Sequence, residues 1–365
     1  RDVYKRQGEE RLVEAAAEQM RQLPFYHLFT SKTHEPATRL AEKLAEMAPV
    51  PDARVLFACS GSESNDTAIK LIWYRNNARG KPEKKKIIAR ERAYHGVTVA
   101  TASLTGLAVN QKGFDVPIDR ILHTGNPHYW RCGLPGETEE QFASRRADEL
   151  EKLILAEGPD TVAAFFAEPV MGAGGVIVPP AGYFDNIQAV LKKYDVLLVA
   201  DEVITGFGRT GAMFGSETFG LRPDLMTVAK GLSSGYLPIS ALIVAGHVYE
   251  PIKAQAGEIG VFGHGFTYGG HPVSAAVALE TLAIYAERDI LGHVARVAPI
   301  LQGGLRALQQ HPLVGEARGI GLIGAVELVA DKDQRRPFDP KLAIGARVVA
   351  KAQGHGVIPV SYTHL

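Results

Sequence analysis

Between Leu40 and Tyr285 short apolar runs alternate with longer amphipathic stretches, and this alternation most limits the folds open to the chain. Residues 54–58, 86–90, 162–167, 196–200, 225–229 and 241–245 read as strands, and stretches such as 67–77 between them have helical periodicity. The pattern predicts βαβ units and a largely parallel sheet. Ligands of such sheets collect at the carboxyl ends of the strands.

Past Pro272 helical patterns occupy 274–286 and 290–309, and a glycine-rich stretch, 315–324, leads into a strand pattern at 325–329. With the helical pattern at 10–23, this tail predicts a smaller domain built from both chain ends, 8–37 and 286–358, beside a large domain of 38–285. A chain of 365 residues is long enough for this division. Residues 1–7 and 359–365 lack caps or periodicity continuous with their neighbours and read as non-native sequence flanking a truncated natural protein.

Lys plus Arg, 40, balances Asp plus Glu, 40, which removes the electrostatic case for nucleic acid or an anionic membrane as the main partner. The lysine-rich segment 81–86 reads as a solvated loop. Cys59 and Cys132 show no metal-ligand spacing and no disulfide framework, so a cytoplasmic enzyme without a bound metal is expected. No apolar run reaches membrane-spanning length and no signal-peptide pattern is present.

The chemistry-bearing residues fall at strand ends. Lys230 follows the run 225–229, and the acidic pair Asp201-Glu202 follows 196–200. A lysine amine condenses with an aldehyde, and a carboxylate beside a pyridine nitrogen keeps that nitrogen protonated; pyridoxal phosphate needs both partners. Taken alone, the two residues are better read as a helix-start lysine and a capping aspartate.

Four further segments extend this pattern. In Ser60-Gly61-Ser62-Glu63-Ser64-Asn65-Asp66-Thr67, Gly61 permits close approach and the Ser62 hydroxyl sits at a helix start, which suits either a phosphate or a plain N-cap. Tyr94-His95-Gly96 could lie flat on a cofactor ring or form a packed surface pair. Glu168 ends the run 162–167 and could hold Asp201 or a cofactor hydroxyl. The glycine-dense loop 262–272 carries His264 and His271 without the extra ligands a metal needs, and suits approach to a ligand or another subunit. Gly206, Gly208 and Gly211 match the dinucleotide-binding spacing GxGxxG, but two acids precede them and no helical period follows.

Taken in order, SGSESNDTAIKL, AYHG, EPVMGAGGVIVPP, LLVADEVITGFGRTG, PDLMTVAKGLSSGYLPISA and HGFTYGGHPVSAA resemble the class III pyridoxal-phosphate aminotransferases over residues 8–358. Residues 128–131 and 134–140 are similar to the omega-amino-acid and 4-aminobutyrate:pyruvate branch, the omega-transaminases. The resemblance implies an α/β, type I pyridoxal-phosphate (aspartate aminotransferase-like) fold, with a mainly parallel seven-stranded sheet in the large domain and a smaller α+β domain. It implies ping-pong transfer of an amino group from an omega-amino acid or amine to pyruvate; a class III aminomutase, a dialkylglycine decarboxylase and an inactive truncated fragment are the alternatives.

Position by position, the resemblance makes Lys230 the residue that condenses with the cofactor and moves the proton, and Asp201 the partner of the pyridine nitrogen. Val203 would pack on one ring face and Tyr94, with His95, on the other. Gly61 and Ser62 would bind the phosphate, and Glu168 would support Asp201. Phe266 and Thr267 would reach the phosphate in a neighbouring subunit, which implies a homodimer or tetramer. Gly269 stands where relatives have serine. The arginine that binds the substrate carboxylate is expected near position 360, where this chain has Val360.

Overall fold

A computed structural model describes residues 8–360, so the reading of 1–7 and 361–365 as non-native lies outside the described residues. Strands β1 (Arg54–Ala58), β2 (Lys86–Arg90), β3 (Ile121–Thr124), β4 (Val162–Ala167), β5 (Leu197–Asp201), β6 (Leu225–Val228) and β7 (Ser240–Val244) form one sheet in the order β1-β7-β6-β5-β4-β2-β3. β2 pairs in parallel with β3 and β4, β4 with β5, and β5 with β6, whereas β7 runs antiparallel to both β6 and β1. β7 alone is therefore reversed. Pairing of Ala58 with Ser240 brings the start of β7 to the edge where the other strands end.

Side chains of β5 alternate between two cores, and in β4 a register shift against β2 after Val162 offsets the alternation. Leu197 and Val199 of β5 join Ala163 and Phe166 in one cluster; Leu198 and Ala200 join Val162, Phe165 and Ala167 in the other. The first cluster is closed by α1 (Gly61–Ala78), through Ala68, Ile69, Leu71 and Ile72, and the second by α2 (Glu139–Glu157) and α3 (Tyr183–Lys193), through Leu150, Ile154, Ile187 and Leu191. Covering on both faces explains why β4 and β5 are buried along their whole lengths.

The helix Glu10–Gln22 docks on α4 (Pro272–Glu287): Leu12 packs with Val277 and Ile284, and Arg11 pairs with Glu280 and Glu287, each at 2.6 Å. Helix α5 (Ile290–Leu308) then leads into a separate hairpin, β8 (Val314–Ile320) and β9 (Ile323–Leu328), paired antiparallel. The glycine-rich stretch is thus a strand and its turn. Its glycines are packing devices, since a Cβ on Gly319 would stand 2.5 Å from the Ile323 carbonyl oxygen and one on Gly324 2.2 Å from Leu305.

One strand is not among those read from the sequence, and one expectation is corrected. β3 carries the polar pair His123-Thr124 and has no long apolar run to reveal it. The lysine segment 81–86 is not a solvated loop. Lys84 is 1% exposed, with Nζ donating to the carbonyls of Pro159 at 3.0 Å and Tyr194 at 3.1 Å, while Lys86 pairs with Glu157 at 2.7 Å. Loops entering β2, β4 and β5 converge there, and a cation satisfies carbonyls that would otherwise be buried without a donor. Among the described residues no helix is long and apolar enough to cross a membrane.

Candidate active site

The strand-end loops of β1, β2, β4, β5 and β6 open into one cavity of about 590 Å³. Gly61, Ser62, Tyr94, His95, Glu168, Asp201, Val203 and Lys230 all line it. Phe266 and Thr267 do not; Thr267 lies exposed on the loop between the helix Gly246–Ile259 and α4.

Asp201 forms the floor. It is the last residue of β5, 4% exposed, and its Oδ2 accepts from Asn65 Nδ2 at 2.7 Å and from His95 Nδ1 at 2.8 Å. Its Oδ1 accepts from the Val203 N–H at 3.1 Å. No lysine or arginine of the described residues pairs with this carboxylate. Glu202 points the other way, into the protein, where it accepts from the N–H groups of Gly215 and Ser216 at 2.9 and 2.6 Å and from the Thr205 hydroxyl. Burial pushes the Glu202 carboxyl above the usual range, against those donors. Of the acidic pair, only Asp201 addresses the cavity.

Glu168 does not bond to Asp201, contrary to the expectation that it supports that residue. Its Oε1 accepts from the Tyr94 N–H at 3.1 Å and its Oε2 from the Gly172 N–H at 2.9 Å, so it fastens the loop after β2 to the loop after β4. Burial raises its pKa, opposed chiefly by the nearby His95. The support of Asp201 falls instead to Asn65, a residue given no role from sequence although it lies in the 60–67 motif. Four residues after Gly61 on α1, it shares the face turned to the sheet, which was the available signal.

At the other end of the cavity α1 begins. Ser60 caps it, Oγ accepting from Glu63 N–H at 3.2 Å, and Glu63 reaches back to the Cys59 N–H at 2.7 Å. Gly61 and Ser62 occupy the first turn, whose N–H groups have no carbonyl to meet within the helix. A Cβ on Gly61 would stand 2.8 Å from Val203 Cγ2, so glycine is what lets the helix start approach the cavity wall. Ser240 ties this corner to β7, bonding Ser64 Oγ and the Ser60 carbonyl at 2.8 Å each.

Lys230 opens a short 3-10 turn behind β6, with φ at 44° and an exposed side chain. Left-handed backbone is uncommon for a residue with a Cβ. It is held here by the Gly235 N–H, which donates to the Lys230 carbonyl at 3.2 Å, and by the Tyr285 hydroxyl, which donates to the Gly231 carbonyl at 2.7 Å.

The remaining motifs resolve as architecture. The GxGxxG-like glycines have no donors to offer a pyrophosphate: Gly206 N–H bonds the Glu202 carbonyl, Gly208 N–H that of Met213, and Gly211 N–H that of Gly208. His264 bonds Thr67 and Lys70, each at 2.9 Å, and His271 caps α4. His128, Glu316 and Glu327 lie close enough to share an ion, but Arg318 bonds both carboxylates and Arg131 bonds Glu327, so their charge is already balanced.

Pyridoxal phosphate fits these residues. The cavity joins a buried carboxylate that pairs with no lysine or arginine among the described residues, an exposed lysine and a helix start with open N–H groups, which would suit a ring nitrogen, an aldehyde and a phosphate. Tyr94 and Val203, both half-buried, line the space between them.

Comparison with known proteins agrees. Residues 7–363 match the family described as Aminotransferase class-III. The chain is 54% identical over 352 residues to "Gamma aminobutyrate transaminase 1, mitochondrial" of Solanum lycopersicum, covering 96% of this chain and 68% of that protein. A solved structure named "Transaminase with L-ala" is 59% identical with a TM-score of 0.95, covering 97% of this chain and 84% of its own. The omega transaminase from Pseudomonas jessenii in complex with PMP is 55% identical with a TM-score of 0.96, covering 98% and 79%.

Proposed function

The chain belongs to the class III aminotransferases, with the type I fold and pyridoxal phosphate as cofactor, and from that premise we propose that it transfers the amino group of an omega-amino acid to pyruvate. The observation that carries this reading is the convergence of Lys230 and Asp201 on one cavity whose far end is the start of α1. The names of the relatives support an omega-amino donor such as 4-aminobutyrate or β-alanine, and L-alanine in the 59% identical neighbour supports the alanine–pyruvate pair.

Bound in this cavity, pyridoxal phosphate supplies an aldehyde that takes up the amino group and a ring that draws electrons from the substrate carbon. Lys230 contributes the amine that anchors the aldehyde and the base that moves a proton at the substrate carbon. Asp201 places negative charge at the ring nitrogen, Gly61 and Ser62 bind phosphate, and Tyr94 and Val203 hold the ring flat. Phe266 and Thr267, outside this chain's own cavity, are assigned to the site of a second subunit in a homodimer.

The test is alanine formation from pyruvate with 4-aminobutyrate or β-alanine, by protein supplied with pyridoxal phosphate, together with carbon dioxide release. Alanine without carbon dioxide is expected, lost in Lys230→Ala and slowed at least about a hundred-fold in Asp201→Asn. Carbon dioxide in step with alanine would replace this reading with a decarboxylase, and turnover by Lys230→Ala would end it.

A further inference from the structure

Beneath the cavity the Asn65 side chain makes an arrangement that the reading above does not use. Its Nδ2 donates twice, to Asp201 Oδ2 at 2.7 Å and to the His95 carbonyl at 2.9 Å. Its Oδ1 is buried with no donor among the described residues. A flipped amide would set that oxygen against two acceptors, so the orientation is fixed by its partners.

The consequence lies at Asp201. With His95 Nδ1 at 2.8 Å as well, Oδ2 has donors for both of its lone pairs, whereas Oδ1 has only the Val203 N–H at 3.1 Å. One acceptor position is left, on Oδ1. Rotation of the carboxylate would break bonds to three residues on three different segments, after β1, β2 and β5. An arginine or lysine at position 65 would hold the carboxylate equally well but cancel the charge. An amide holds it and leaves the charge intact.

We propose that Asn65 is a positioning residue for the transamination: it saturates Oδ2 of Asp201, so that Oδ1 alone addresses the ring nitrogen of the cofactor. This rests on the cofactor reading of the cavity. His95 completes the clamp, and Asn65 keeps it in place through the His95 carbonyl. The unmatched Asn65 oxygen follows from this role, because the amide is turned to serve the carboxylate and not itself.

The experiment uses holoenzyme reconstituted with pyridoxal phosphate labelled with 15N in the ring, and reads the ring-nitrogen chemical shift, the affinity for cofactor and the melting temperature of the apoprotein. In Asn65→Ala the ring-nitrogen signal is expected to move toward the unprotonated position and cofactor affinity to fall about ten-fold, the worth of one hydrogen bond to a charged group. Asn65→Leu keeps the volume of the side chain without its donor and without adding charge, so it guards against collapse of the cavity if the alanine variant is lost, and it is expected to move the signal the same way. Asp201→Asn is the reference for complete loss. A lowered melting temperature with an unmoved ring-nitrogen signal in either variant would make Asn65 merely structural and overturn the proposal. If parent protein shows no cofactor signal, the reading of the cavity itself fails; if Asp201→Asn moves the signal and the Asn65 variants do not, only this inference fails.

Discussion

Gly96 lies so close to Ser62 that a Cβ on it would stand 2.5 Å from the Ser62 Oγ and 2.9 Å from the Ser62 Cα. Its φ of 137° is one that residues with a Cβ rarely adopt. The Ser62 hydroxyl also accepts from the Val97 N–H at 3.2 Å, so the turn after β2 and the start of α1 are built against each other.

Gly96→Ala should therefore act twice, by backbone strain and by pushing Ser62 away from the end of the cavity proposed to take the phosphate. The expected result is a loss of about 1–3 kcal/mol in stability and a fall of at least about ten-fold in cofactor affinity. Denaturant unfolding and titration of the apoprotein with pyridoxal phosphate would measure the two effects. Affinity equal to that of the parent would show that Ser62 does not bind the phosphate.

Arg318 couples the β8–β9 hairpin to the loop behind Glu168. Its Nε and Nη2 donate to the Gly175 carbonyl at 2.9 and 2.6 Å, and its Nη1 to Glu316 and Glu327 at 2.6 and 2.9 Å. Burial works against the ionised form of both carboxylates, yet Arg318, with His128 and Arg131, outweighs it and holds both below the ordinary range. In Arg318→Ala two half-buried carboxylates lose a shared cation but keep His128 and Arg131, and a loss of about 1–3 kcal/mol is expected. Depressed carboxyl pKa values stabilise above the unfolded range and lose that contribution on acidification, so the variant's deficit should shrink as the pH falls below about 4.5. Urea unfolding at several pH values checks it; a pH-independent deficit would mean that only the Gly175 bonds matter.

These sites differ in how far the sequence disclosed them. The runs at β1, β2 and β4 were legible to the residue because each is a short apolar run bounded by polar or turn residues, and β4 is buried along its whole length. β3 was not, since four residues ending in His123-Thr124 carry no such signal. Asn65 was inside a motif already singled out, but its partner Asp201 is 136 residues away, and only the fold joins them. Lys84 shows the same limit from the opposite side: three loops enclose it, and a run of charges gives no hint of enclosure. The chemistry was readable where it sits at strand ends. The hydrogen bonds that aim it were not.

Lys84 tests that distinction, because it lies at the opposite edge of the sheet from Lys230. Lys84→Met keeps the length and apolar stem but leaves the Pro159 and Tyr194 carbonyls without their donor. About 1–3 kcal/mol of stability should be lost, with transamination rate at 25 °C unchanged. Burial already lowers the Lys84 pKa, so part of the cost of the charge is relieved by its removal and the loss belongs at the lower end of that range. A fall in rate without a fall in stability would show that this edge communicates with the cavity.

Glu137 and Arg145 give the sharpest dependence on acidity. Arg145 grips the carboxylate with two nitrogens, at 2.6 and 2.8 Å, the Leu134 N–H adds a bond at 2.9 Å, and the Glu137 pKa is drawn down to about 2 from an ordinary value near 4.5. The folded pKa lies below the unfolded one, so on acidification the unfolded chain takes up the proton first. The stabilisation is complete above about 4.5 and is lost as the pH falls toward 2. Glu137→Gln should thus be less stable than the parent at pH 7, and the gap between their urea midpoints should narrow below about pH 4.5. Arg145→Met should remove the same pH-dependent component, and the double variant should differ little from either single one. Additive losses would mean that the two residues stabilise the segment 128–137 separately, and that their paired geometry carries no coupling of its own.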